Sequence, residues 1–386
     1  MTHPLNGIRV LDLTRLLPGA VCSLLLADLG ADIIKIEDPN GGDYARWMPP
    51  TQDGLGTFFR VSSRNKRSAI IDLKTEAGRD VFHTLVSGAD VVIESFRPGV
   101  MAKLGCDAAA LRAINPSLIY CSLSGWGADG PYAQRSGHDL NYLAVSGLLG
   151  AMGSPVVPGG QVADVGGALA AVAGILAALV GCERTGEGRT IDIGLFEAAL
   201  PFSLQRWVEV MTTNGTDDVP AGGSLTGGLA CYNIYKARDG RTVTLGAIEP
   251  KFWERFCNAA ERPDLIPDYT APARQAYLRT ELTELFALRS ATDWDALLTP
   301  VDCCFALVNA PADIADDPHI AGRGMLGVGA DGTPWMRSPI RMSDAPFQPG
   351  DVPGYGQHTR AVLGEARYGD AEIDALIAAG AVKTGE

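Results

Sequence analysis

The sequence predicts an α/β protein: an open parallel-sheet domain followed by a smaller α+β domain. Three observations carry this. Short β-branched runs alternate with helical patterns through the first third, a polar glycine-rich stretch interrupts the chain at 213–228, and a hairpin signal followed by helices comes after it. Strands that alternate with helices are joined by crossovers, which make neighbouring strands parallel.

In order, the predicted strands are IRVLDLT (8–14), DIIKIED (32–38), SAIIDLK (68–74), DVVIESF (90–96) and LIYCSLSG (118–125). Helical patterns such as AVCSLLLADLG and EAGRDVFHTLVSG lie between them. Ligands of such sheets sit at the strands' carboxyl ends, which here read TRLLPG, EDPNGG, LKTEAG, FRPGV and SGWGADGP. None carries GxGxxG or GxxxxGK[ST], so a nicotinamide or P-loop reading has no motif behind it. From Leu140 to about Met211 the pattern is mainly helical, broken by GRTIDIGLF, a strand leading into a helix. ACYNIYKARDGRTVTLGAIE reads as a hairpin turning at Asp239-Gly240. The resulting domain bounds are 1–212 for the large domain, 213–228 for a linker and 229–325 for the small domain. Residues 326–386 form a proline-rich extended segment and a C-terminal helix returning to the large domain.

VGGALAAVAGILAALVGC (165–182) has no charge over 18 residues, the length of a short membrane span. Its Ala and Gly content, the lack of flanking aromatics, and Asp164 and Glu183 at its ends indicate a buried central helix instead. A formal charge of −13 argues against a nucleic-acid surface. The eight cysteines form no CxxC pair, and Cys303-Cys304 are adjacent, so we expect a reducing, cytoplasmic setting, buried apolar thiols and no metal site. The N-terminal stretch MTHPLNGIRVLDL has no signal-peptide pattern.

Four residues are candidates for one pocket: His138, Asp139, Asp164 and Glu249. Each has a plain alternative. Asp164 opens an apolar helix as an N-cap would, Glu249 before a proline suits a solvent-facing boundary, and His138-Asp139 suits a helix start.

Several blocks then bear on function together. LNGIRVLDLTRLLPG, LADLGADIIKIEDPNGGDYAR, NKRSAIIDLKTEAG, FRPGVMAKLG, LIYCSLSGWGADGPYA and ADVGGALAAVAGILAALVGCERTGEGRTIDIGLFEAAL resemble the family III CoA-transferase superfamily up to about Pro250. The resemblance implies a large Rossmann-like domain plus a small one, an interlocked homodimer, and an acyl-CoA thioester as substrate. No cofactor is implied beyond the CoA of the substrate, nor a nucleic-acid or membrane partner. Transferases of the superfamily use the aspartate matching Asp164 as a nucleophile, through an anhydride and an aspartyl-CoA thioester. The α-methylacyl-CoA racemase branch uses it as an acid/base opposite a histidine in a GHDxNY block, which here reads Gly137-His138-Asp139-Leu140-Asn141-Tyr142. That branch also carries GAIEPQFY, here GAIEPKFW, which places Glu249 at the matching glutamate.

The resemblance therefore implies a racemase of 2-methylacyl-CoA type. His138 and Asp164 exchange protons, and Glu249 supports the imidazole. CoA binding is implied at Ile71, Asp72, Leu73, Lys74 and Lys103, and at Gly137, Asp139 and Tyr142. CoA phosphates want basic groups, and Arg64, Lys66, Arg67, Lys74 and Lys103 are local candidates. Many relatives have a base where this chain has Asp38, so either another base, Arg15 or Arg46, substitutes or CoA is held more weakly. One stretch favours the transferases: YARWMPPTQDGLGTFFRVSSRNKRS is long, as theirs is, and its Gly-Leu-Gly suits a lid near the thioester. The alternatives are a CoA-transferase with Asp164 as acyl acceptor and, from another class, a catalytically silent acyl-CoA-binding protein.

Overall fold

The computed structural model describes residues 3–152, 156–213, 222–267, 269–329 and 331–385. Half of the 213–228 linker, residues 214–221, therefore lies outside the described residues. The chain divides into two compact units: Met1–Tyr142 with Gly160–Ala199 and Pro318–Glu386, and Leu143–Gly159 with Leu200–Asp317. Compared with the sequence-based bounds, the second unit takes 143–159 and 200–212 from the first.

In the first unit, β1 (Arg9–Asp12), β2 (Asp32–Glu37), β3 (Lys66–Ile71), β4 (Val91–Glu94), β5 (Ile119–Ser124) and β6 (Thr190–Gly194) pair in parallel. Their order is β3-β2-β1-β4-β5-β6, and Val382–Lys383 adds an antiparallel strand beside β3. Alternation within each strand feeds two cores, because successive side chains point to opposite faces. Leu11, Ile34 and Val92 meet Phe82 and Leu85 on one face, while Val10, Ile33 and Val91 meet Leu25, Leu26 and Ile175 on the other. Both faces being covered explains apolar stretches such as Ile33-Ile34 and Val91–Ile93, while the edge strand β6, TIDIG, alternates. The strand order reverses between β1 and β4, and the crevice outside the carboxyl ends at such a point is where these sheets bind ligands.

Four helices matter for the site or its support: α1 (Leu16–Asp28), α2 (Glu76–Ser87), α3 (Asp139–Val145) and α4 (Val162–Thr185). The α4 helix corrects an expectation. It is long and apolar enough to cross a membrane by length and composition, but it is not buried all round. Ala168, Ala171, Ile175 and Ala178 pack on the sheet, where small side chains let the backbones come close, while Val165, Leu169 and Val180 face outward.

In the second unit, Tyr232–Lys236, Thr242–Gly246 and Phe305–Leu307 form an antiparallel sheet, and the first two are joined at Asp239-Gly240 as expected. Its core is aromatic, with Trp253, Phe256, Phe286 and Trp294 buried together. Cys303 is buried there, but Cys304 is exposed at a backbone φ of +60°, contrary to the expectation of two buried thiols. The helix Leu204–Thr213 exposes Leu204, Trp207, Val210 and Met211.

Candidate active site

The turns after β1, β4, β5 and β6, together with the segment entering α3, enclose a cavity of about 420 Å³. Its walls include Arg15 and Leu16 after β1, Phe96 and Arg97 after β4, Ser124 to Trp126 after β5, Leu195 after β6, Arg135 to His138, Tyr142 and Asp164. All belong to the first unit.

The histidine sits at the start of α3. Its carbonyl accepts from the backbone N–H of Asn141 (2.8 Å) and Tyr142 (3.2 Å), and its own N–H donates to Asn141 Oδ1 (3.1 Å). Backbone atoms alone do this capping, so the imidazole is free of it, and the side chain stands exposed at the cavity. Only glycine fits at position 137, because Tyr142 and Trp126 crowd its α-carbon. Tyr142 folds back to donate its hydroxyl to Gly137 O at 2.7 Å, and a Cβ at Gly137 would meet the Tyr142 ring at 2.7 Å and Trp126 at 3.1 Å. Trp126 in turn meets Tyr132 and Tyr142 edge-on, with centroids 5.4 and 5.0 Å apart, giving the cavity a stiff aromatic wall.

Asp164 is the third residue of α4 and not its N-cap, which is Gln161, without a side-chain cap bond. The cap comes from elsewhere: Asp139 Oδ1 accepts the Asp164 backbone N–H at 3.0 Å. This contact, a bond of the kind that contributes about 1 kcal/mol to a helix start, sets the two carboxylates side by side. Burial first, and the Asp139 charge second, push the Asp164 carboxyl up to about 6, while His138 pulls it down. The helix N-terminus favours the ionised form, yet desolvation and the like charge prevail. Burial, Asp164 and Asp139 likewise push the Tyr142 phenol up to about 12, so it stays a hydrogen-bond donor.

Asp139 therefore acts from beneath the cavity and does not line it. Replacing it with asparagine keeps an acceptor for the Asp164 amide and removes the neighbouring negative charge. The Asp164 carboxyl should then titrate lower, and the acidic limb of kcat/KM should move to lower pH by several tenths of a unit or more. An unmoved limb would show that Asp139 exerts no charge effect on Asp164.

The other sequence candidates divide. Gly137, His138, Tyr142 and Asp164 line the cavity; Ile71, Asp72, Leu73, Lys74 and Lys103 do not. Ile71 is buried at the end of β3, Asp72 Oδ1 accepts the Lys74 backbone N–H at 3.0 Å, and Leu73 packs against the core. Lys74 and Lys103 are exposed. Three proposed phosphate ligands are spoken for. Arg64 pairs with Asp28 (2.7 Å), Lys66 is buried with Ser23 (2.8 Å) and Asp12 (3.9 Å), and Arg67 pairs with Asp32 and Glu365. Arg46 cannot stand in for the base missing at Asp38, because it is buried in a paired geometry with Glu37 (2.7 Å). Arg15 pairs with Asp38 itself while lining the cavity. Glu249 is exposed at the N-terminus of the Pro250–Ala259 helix in the second unit. Gly54-Leu55-Gly56 belongs to a small hairpin, and Leu55 lines a different cavity of about 600 Å³. It is not part of the wall around His138.

Sequence reasoning missed Arg97 and Arg135. Both line the cavity without a carboxylate partner among the described residues; Arg97 donates to Ser136 Oγ (3.1 Å), and Arg135 lies over Tyr132 at 5.0 Å. Their signal was position. Arg97 stands in a strand-end turn at the order reversal, and Arg135 stands three residues before His138.

Comparison with known proteins agrees with this architecture. The model of a family described as CoA-transferase family III matches residues 5–359. The succinyl-CoA:mesaconate CoA-transferase of Haloarcula hispanica is 37% identical, over 95% of this chain and 97% of that protein. Human alpha-methylacyl-CoA racemase is 31% identical, over 96% of this chain and 95% of that protein. The crystal structure of a CAIB/BAIF family protein from Brucella suis superposes with a TM-score of 0.81 at 32% identity, covering 95% of this chain and all of that one.

Proposed function

The chain belongs to CoA-transferase family III, and from that premise we propose that it racemises 2-methylacyl-CoA thioesters by 1,1-proton transfer at the α-carbon. The observation that carries this reading is the pairing of His138 with an Asp164 pushed up to about 6 on one cavity. Inverting a stereocentre through an enolate needs a base on one face and an acid on the other. Each must change protonation state near neutral pH, which suits an imidazole and a carboxyl raised toward 6. In one direction Asp164 takes the α-proton and imidazolium returns one; in the other the roles exchange. Enolate charge on the thioester oxygen must be met by donors or cations, and the Arg97 and Arg135 guanidinium groups lend the cavity positive potential in an otherwise acidic chain. Lys74 and Lys103, exposed outside it, suit the CoA phosphates. The supporting role of Glu249 toward the imidazole belongs to the same proposal.

A second reading has its own support, since relatives such as the Haloarcula hispanica protein are named CoA-transferases. There the Asp164 carboxylate attacks the thioester carbonyl and CoA thiolate leaves, giving an aspartyl-acyl anhydride. The thiolate then attacks the aspartyl carbonyl and releases the donor acid, and an acceptor carboxylate takes the CoA by the same two steps in reverse, freeing Asp164. The test is NMR of a single-enantiomer 2-methylacyl-CoA in D₂O with no second acid present. Deuterium at the α-carbon together with both stereoisomers supports the racemase. No exchange, followed by thioester exchange once an acceptor acid is added, overturns it in favour of the transferase.

We assign a homodimer as part of this proposal. The apolar side chains left exposed on α4 and on Leu204–Thr213, with Leu169 at 46% and Trp207 at 59% exposure, support it, since clustered apolar surface commonly marks an interface. Sedimentation velocity should give about twice the chain mass, and a monomer at micromolar concentration would refute the assignment.

A further inference from the structure

We propose that Lys35 and Asp43, an ion pair outside the cavity, are positioning residues that hold the turn bearing Arg15 and Leu16 in its substrate-binding shape. The inference rests on the reading of the cavity as the thioester site. Both side chains are only 1% exposed and stand 2.9 Å apart. Neither lines the cavity.

Each partner has a second contact, and the two contacts bracket Arg15. Lys35 Nζ donates to the Thr14 carbonyl at 2.8 Å, and Asp43 Oδ1 accepts the Leu16 backbone N–H at 3.3 Å. Between them, the Arg15 N–H donates to Ser95 Oγ at 3.1 Å, which ties the same turn to the strand end on the other side of the order reversal. Leu16 needs such bracing, because its φ of +62° is left-handed, a conformation that a branched residue adopts only when its surroundings impose it. Arg15 and Leu16 are the turn's contribution to the wall.

A buried ion pair adds little net stability over an apolar pair of the same volume, since desolvation offsets the attraction. An apolar pair, however, could not accept an amide from one residue and donate to a carbonyl two residues earlier. The pair is thus explained by the turn that it shapes, more than by the stability that it adds.

The test separates positioning from folding. Lys35→Met/Asp43→Ala removes both charges together, leaving no lone buried charge. It should raise KM for the acyl-CoA at least about tenfold while kcat for α-proton exchange stays within about threefold. Asp43→Asn is nearly isosteric but leaves the Lys35 charge without its paired carboxylate, so its melting temperature is read alongside; it should raise KM about threefold. In a Leu16→Gly background, where a positive φ is unstrained, the same Asp43→Asn change should leave KM unaltered. A lowered melting temperature with unchanged KM, or the same KM ratio in both backgrounds, overturns the inference. Calorimetry with CoA on the unsubstituted protein keeps the two readings apart. If CoA does not bind, the site reading fails and takes the inference with it; if CoA binds and KM does not respond to the variants, the positioning role alone fails.

Discussion

Replacing Asp164 with asparagine should abolish turnover, by about a thousandfold or more, whichever of the two chemistries operates. Asparagine keeps the shape of the side chain, leaves the Asp139-capped backbone N–H untouched and removes the one group that both mechanisms require. The stability change has the opposite sign. Burial and Asp139 raise the folded-state carboxyl to about 6, above its unfolded value, so ionising it disfavours the folded state. That penalty is fully present above the folded value and disappears below the unfolded one, near pH 4. Asp164→Asn should therefore melt at the same temperature as the unsubstituted protein near pH 4 and somewhat higher at pH 8. Such a trade of stability for activity is usual at sites holding perturbed groups. Calorimetric scans at the two pH values, beside the kinetics, check both halves. Retained activity would remove Asp164 from the chemistry, and a lower melting point at pH 8 would contradict the raised titration.

The central strands of the large sheet were legible in the sequence because burial on both faces writes them as β-branched runs: Val91 to Ile93 is unbroken, and Ile33 to Ile36 is interrupted only by Lys35. The turns at their carboxyl ends were legible for the same reason, so the site's location could be inferred. What a linear pattern does not contain is pairing at long range. Arg64, Lys66 and Arg67 look like a basic loop in sequence, yet their partners Asp28, Asp12 and Asp32 lie far upstream in the chain. The same holds for Arg46, whose guanidinium is taken up by Glu37. Conversely, Arg97 and Arg135 look ordinary as single letters, and only the closure of the cavity distinguishes them. The electrostatic contest at Asp164 was likewise open from sequence. It turned first on burial and then on the charge of Asp139, which reaches the α4 backbone 25 residues away through a contact with no local signature. Helix α4 shows a further limit. An Ala- and Gly-rich run reveals close packing but not on how many sides, and here one side is left bare.

For His138→Ala, the expected result is asymmetric. Racemisation should fall by roughly a hundredfold to ten-thousandfold from either enantiomer, the range for losing one general acid/base group, because inversion needs both faces served. Exchange without inversion needs only one. The enantiomer whose α-proton faces Asp164 should still wash in deuterium with retained configuration, while its mirror image should lose exchange altogether. The substitution is structurally mild: the side chain is exposed, and the helix-start hydrogen bonds at this position come from its backbone N–H and carbonyl, which alanine keeps. Melting temperature and CoA affinity should therefore stay close to those of the unsubstituted protein, which makes a kinetic loss chemical in origin. Loss of the His138 charge also removes what pulls the Asp164 carboxyl down, so the residual exchange should lose its acidic half at a higher pH than in the unsubstituted protein. Equal retention of exchange from both enantiomers would dismiss His138 as the second acid/base. A variant that transfers CoA between acids undiminished, and exchanges neither α-proton, would make the imidazole a bystander and Asp164 a nucleophile.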